Sequence, residues 1–180
     1  MAKILTAFFS MKGETYANGK IIDLEKGYTQ IAAEYIQKAI GGDLFRIEQM
    51  RTYSTDHMKM IQEAKAELES DERPELKKYP ESIDEYDTVI LAFPNWWNTL
   101  PMPVVTFLTR YDFSGKRIIP FNTSGGGGFG NSIAAIKKYA AGAAVTDGMT
   151  VPGTKVEIVR RRSRNGHVPR FKEENSHDEL

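Results

Sequence analysis

The sequence predicts a doubly wound α/β domain. Two observations carry that reading: short apolar runs alternate with segments of helical period, and three of the runs open into loops rich in glycine, asparagine and aromatic residues. Alternation of this kind implies a parallel sheet, because parallel strands need crossovers, and right-handed crossovers lay helices on both faces. Ligands of such sheets bind beyond the carboxyl ends of the strands, where the strand order reverses.

Residues 3–9, KILTAFF, are too short for a helix and rich enough in Ile and Phe for a buried strand. Residues 88–93, TVILAF, repeat the pattern. Residues 117–121, RIIPF, give a third strand, with Pro120 expected at its end because central strands resist proline. Residues 43–48 and 143–151 are weaker strand candidates. Ala32, Tyr35, Ile36, Ala39 and Ile40 form a helical stripe closed by Gly41-Gly42, where a helix C-terminus favours glycine. Ile61, Ala64 and Leu68 form a second stripe. Val104, Leu108 and Tyr111 form a third, behind Pro101 and Pro103, which suit a first turn. Ile133, Ile136 and Ala140 form a fourth.

The 180 residues suit one domain, assigned to residues 1–153. Residues 154–180 are charged, lack an apolar stripe and are expected to form an extended or partly disordered tail. Cysteine is absent, which excludes disulfides, thiolate metal sites and a cysteine nucleophile. His57, His167 and His177 lack metal-ligand spacing, so no metal is expected. A formal net charge of zero attracts neither nucleic acid nor an anionic membrane, and the basic run Arg160-Arg161-Arg162-Ser163-Arg164 reads as solvated. The N-terminal apolar run is too short for a signal peptide and no segment is long enough to span a bilayer, so a cytoplasmic location is expected. The terminal His177-Asp178-Glu179-Leu180 spells a retrieval signal, read as chance.

The first loop starts Ser10-Met11-Lys12, passes the hairpin turn Asn18-Gly19, and ends at Gly27-Tyr28-Thr29-Gln30, where the first helix opens. Free N–H groups and the positive end of the helix dipole suit a phosphate there. Thr29 as a plain helix cap is the alternative. The second loop, FPNWWNTLPMP at residues 93–103, holds both tryptophans of the chain. Neighbours in extended chain point opposite ways, so one ring can pack inward while the other faces a flat aromatic ligand. The third loop, residues 122–130, packs five glycines into six residues and offers backbone donors at close approach. It is neither GxGxxG after the first strand nor a P-loop. A phosphate cradle, an aromatic platform and a donor set at one sheet edge suit flavin mononucleotide (FMN).

With Ser10, Gly27-Tyr28-Thr29, Phe93-Pro94-Asn95-Trp96-Trp97, Tyr111-Asp112-Phe113-Ser114-Gly115-Lys116, Thr123-Ser124-Gly125-Gly126 and Arg73-Pro74-Glu75-Leu76, the sequence resembles the flavodoxin family over roughly residues 3–153. The resemblance implies a three-layer, five-stranded sheet in the order 2-1-3-4-5 and bound FMN. It places the phosphate against Ser10, Met11, Lys12, Tyr28, Thr29 and Gln30. The ring would lie against Pro94, Asn95, Trp96, Trp97 and Asn98, with Ser124, Gly125 and Gly126 opposite and Trp97 as the stacking residue. Tyr28 stands where the family has Asn, and Asn98 where close relatives have Gly. The family's final helix finds no counterpart after Gly153, so the tail or a second subunit, as in a homodimer, is expected to cover that face.

No catalytic triad or paired carboxylates stand out. The resemblance implies electron transfer through FMN to redox partner proteins. The alternative is an NAD(P)H-dependent quinone or nitroaromatic reductase with a small quinone-type acceptor, and a third reading is a binding module that has lost the flavin.

Overall fold

The structure, a computed structural model, describes residues 2–164. Five parallel strand positions form the central sheet. Strand β1 (Ile4–Phe8) leads through a hairpin, β2 (Gly13–Ala17) and β3 (Lys20–Leu24), into helix α1 (Tyr28–Ile40) and strand β4 (Asp43–Arg46). Helix α2 (His57–Glu69), strand β5 (Thr88–Pro94), helix α3 (Met102–Arg110), strand β6 (Arg117–Ser124) and helix α4 (Ser132–Tyr139) follow. The last position is shared by β7 (Ala144–Val145) and β8 (Met149–Pro152), after which come a 3-10 turn (Gly153–Lys155) and helix α5 (Glu157–Arg164).

The strands lie in the order β4-β1-β5-β6, with β7 and then β8 beside β6, all parallel. Counted by sheet position, this is the expected 2-1-3-4-5. Alternation along the strands sorts the core into two layers. Leu5, Ala7, Val89, Leu91, Phe93 and Ile118 face α2, α3 and α4, and pack with Met60, Val104, Leu108 and Ile136. Phe8, Ile90, Ala92, Ile119 and Phe121 face the other way, onto Ala32, Ala33 and Ile36 of α1.

Three expectations are corrected here. Pro120 sits inside β6, paired with Leu91, and not at its end. The Ile118 carbonyl accepts from Thr146 N–H on the β7 side. Pro120 shares that parity, so its missing donor faces the gap where β7 has ended and β8 has not begun. Gly148 passes through this gap at φ 67, so close to the Pro120 carbonyl that a Cβ would stand 2.2 Å from it. The single strand expected over residues 143–151 is therefore two.

The third correction concerns the segment after Gly153. Residues 157–164 are helical, not extended, and α5 docks on α1. Val156 and Val159 are buried with Val151 against Ile36 and Ala33, and the Tyr35 hydroxyl donates to Glu157 at 2.9 Å. Two apolar residues three apart are a faint stripe in a segment dominated by arginine. They suffice because α1 already presents the partner surface, each buried valine contributing about 1.5–3 kcal/mol. The face thus has its cover within the chain. Arg160, Arg161 and Arg162 lie on the exposed side of α5. Residues 165–180, with His167 and the terminal tetrapeptide His177-Asp178-Glu179-Leu180, lie outside the described residues. Among those described, no helix is long and apolar enough to cross a membrane.

Candidate functional site

The loops after β1, β5 and β6 meet at the carboxyl edge of the sheet, and specific bonds knit them together. Gly27 precedes α1 against the first loop, where a Cβ would stand 2.2 Å from both the Met11 carbonyl oxygen and Ser10 Oγ. That approach permits no side chain. The Gln30 N–H donates to Ser10 Oγ at 3.1 Å, while its side chain donates to Glu34 and accepts from Arg46. Thr29 is not the helix cap: its hydroxyl is buried against that of Thr123 on β6, 2.7 Å away. Asn95 bridges the other two loops, its N–H donating to the Thr123 carbonyl at 2.8 Å and its Nδ2 to the Gly128 carbonyl at 2.8 Å. In the glycine loop, Ser124 Oγ accepts from the N–H groups of Gly126 and Gly128, which engages part of the donor set within the loop itself.

The two tryptophans part as expected, but at a tight turn and not in extended chain. Trp96 lies edge-on to Phe9 and Tyr53, with ring centres 5.1 and 5.3 Å away. Behind it, the Tyr53 hydroxyl donates to Glu67, a buried α2 carboxyl also reached by Arg51 at 3.3 Å. Burial pushes the Glu67 carboxyl above the usual carboxylate range, and burial together with Glu67 pushes the Tyr53 hydroxyl up. Trp97 instead is 44% exposed. It and Asn98 form the centre of a tight turn closed by main-chain bonds between Trp96 and Thr99, with φ of 50° and 64°. A tryptophan at positive φ is sterically costly. It is held there by a bond from its Nε1 to the Ile61 carbonyl at 2.8 Å and by the Lys65 ammonium 5.4 Å over its ring.

A cavity of about 670 Å³ opens at this edge, within the range of small-molecule sites. Of the residues singled out in the sequence, Tyr28, Pro94, Asn95, Trp96, Trp97, Ser124 and Gly125 line it. Ser10, Met11, Lys12, Thr29, Gln30, Asn98 and Gly126 do not. Ser10, Thr29 and Gln30 brace the loops, Met11 packs on the core, and Lys12 is exposed. The Asn98 carbonyl accepts from Asn131 N–H at 2.7 Å and so ties the tryptophan turn to α4. Tyr28 lies against Gly153, where a Cβ would stand 2.4 Å from its ring.

Sequence reasoning missed three walls: the hairpin from Thr15 to Gly19, the α2 face of His57, Met60, Ile61 and Ala64, and the segment from Pro152 to Lys155. Asn18-Gly19 was the available signal for the first, since a two-residue turn implies strands on both sides. Nothing local marks the other two as cavity walls. Among the described residues, no carboxylate lines the cavity, and Lys155 is the only lysine or arginine that does. Among the described residues, Asn95 Oδ1 and His57 Nδ1 are polar atoms of lining residues buried without a partner.

A family model described as flavodoxin matches residues 3–161. A comparison with curated proteins returns no match. Among solved structures, a protein from Bacteroides uniformis described as a flavoprotein is 29% identical, with a TM-score of 0.70 over 91% of this chain and 98% of its own. A flavoprotein from Lactobacillus acidophilus, solved in complex with FMN, is 19% identical, with a TM-score of 0.61 over 88% and 98%. An NAD(P)H:quinone oxidoreductase from Methanothermobacter marburgensis is 13% identical, with a TM-score of 0.52 over 98% and 100%. The last two likenesses are of fold.

Proposed function

The chain belongs to the flavodoxin family, and from that premise we propose that it is an electron-transfer flavoprotein whose cofactor is FMN. The observation that carries the reading is the convergence of Tyr28 on α1, Asn95 and Trp97 in the loop after β5, and Ser124 at the end of β6 on one cavity at the switch edge of the sheet. The residues suit the group. Asn95 Oδ1 is an unpartnered acceptor for a ring N–H, and Trp97 offers an indole surface. The start of α1, with Gly27 drawn tight to the first loop, offers backbone donors for a phosphate. FMN, when bound, supplies one- and two-electron redox chemistry, while the chain supplies binding, orientation and local charge. A redox protein is the partner in this reading.

A second reading, a reductase of small quinone-type or nitroaromatic acceptors, is favoured by the extent of the cavity. It runs past the flavin-type residues to the hairpin and α2, giving room for a small acceptor. Titration with FMN, following flavin absorbance and tryptophan fluorescence with riboflavin for comparison, tests the cofactor. Tight FMN binding with much weaker riboflavin binding is expected. Binding of neither flavin would overturn the proposal in favour of a module that keeps the fold without the cofactor. NAD(P)H consumption with a quinone present then separates reductase from shuttle.

A further inference from the structure

We propose that the part of the cavity between the β2–β3 hairpin and α2 is a second ligand subsite, for an uncharged planar ring of the quinone class, with Tyr16 as its stacking wall. The inference rests on the FMN reading above. Pro94, Trp97, Ser124 and their neighbours account for a flavin at the strand ends. They leave a further wall made of Tyr16, Ala17, His57, Met60, Ile61 and Ala64, which the Trp97–Ile61 bond joins to the platform.

Three features of that wall set the ligand class. First, Tyr16 is a cavity-lining aromatic that remains 60% exposed. The hairpin that carries it is braced: the Glu14 N–H donates to the Thr55 carbonyl at 3.1 Å, and a Glu14 carboxylate oxygen accepts from the His57 N–H at 3.0 Å. Asn18 and Gly19, at φ of 50° and 83°, close the hairpin in the left-handed geometry that a two-residue turn needs. The ring is therefore carried on a braced hairpin, and a flat ligand stacks on it without ordering a loop. Second, Met60, Ile61 and Ala64 form an apolar floor on α2. Third, charge is nearly absent. Among the described residues no carboxylate lines the cavity, and the one lysine that does, Lys155, comes from the segment after β8. A dinucleotide with several phosphate charges would find a single cation, whereas an uncharged ring gives up little hydration on entry. Thr15, Asn18 and His57 are the polar side chains on this side, and the His57 imidazole, whose buried Nδ1 has no partner among the described residues, is able to bond a ring oxygen.

The test titrates oxidised holoprotein, which cannot reduce its ligand, with menadione by calorimetry. The anionic analogue 1,2-naphthoquinone-4-sulfonate is run beside it, in wild type, Tyr16→Ala and Tyr16→Phe. Saturable menadione binding is expected, weakened about tenfold by Tyr16→Ala, the worth of one aromatic stack. Tyr16→Phe keeps the ring and should bind as wild type does, with melting temperature and FMN affinity unchanged in both variants. Equal menadione affinity in Tyr16→Ala, preference for the sulfonate, or no saturable binding would overturn the subsite. FMN content, read from absorbance beforehand, separates the two claims. A protein that holds FMN and ignores menadione overturns the subsite alone, and one that holds no FMN overturns both.

Discussion

The indole Nε1 of Trp97 donates to the main-chain carbonyl of Ile61, 2.8 Å away. This bond fastens the turn after β5 to α2, and it holds a bulky residue at φ 50°. The platform is therefore preset before any ligand arrives.

Trp97→Ala should weaken FMN binding about tenfold or more, through loss of the stacking surface. Trp97→Phe, which keeps a ring but loses the donor, should fall between. Flavin fluorescence titration reads both. If Trp97→Ala leaves the affinity unchanged while Trp96→Ala abolishes it, the roles of the two rings are reversed.

Gly27 meets Met11 and Ser10 too closely for any Cβ. Gly27→Ala must push the first loop away from the start of α1, at an expected cost of about 1–3 kcal/mol. Affinity for FMN should drop while that for riboflavin, which lacks the phosphate, changes little. Parallel loss of both would show the damage to be general.

Glu67 links α2 to Tyr53 and, through Tyr53, to Trp96. Its carboxyl titrates above the usual range because it is buried. The folded state therefore holds this proton at pH values where the unfolded chain has released it, and the group's stabilising contribution, full in acid, is lost as pH rises through the raised value. Glu67→Gln, neutral at every pH, should melt higher than wild type at neutral pH. The gap should shrink as pH falls toward about 4.5, the ordinary carboxyl value. A gap independent of pH would remove Glu67 titration from the account.

Val156 and Val159 attach α5 to α1. Replacing both with alanine should cost about 2 kcal/mol or more, measured by denaturant unfolding. An unchanged midpoint would mean that the helix adds nothing to the fold.

The strands and most helices were legible because periodicity is a local property. Residues 88–93 could hardly be other than a buried strand, and the stripe ending at Gly41-Gly42 marked α1 to its last turn. Pro120 was misplaced because proline is forbidden only where its missing donor meets a partner, and the break between β7 and β8 is a fact about neighbouring strands. Helix α5 was missed because Val159 within it and Val156 just before it become a stripe only when α1 supplies the surface.

The same division runs through the site. By itself the sequence determined that three loops meet at one sheet edge and that their residue types suit a flavin, since the sheet follows from alternation and loop chemistry from residue type. The tertiary structure alone decided which side chains face the cavity and which brace it. Ser10, Thr29 and Gln30 turned out to hold one another and β6, and Tyr16, His57 and Lys155 became walls. The physical reason is that a side chain's direction depends on the packing of elements distant in sequence, which no spacing within one segment encodes.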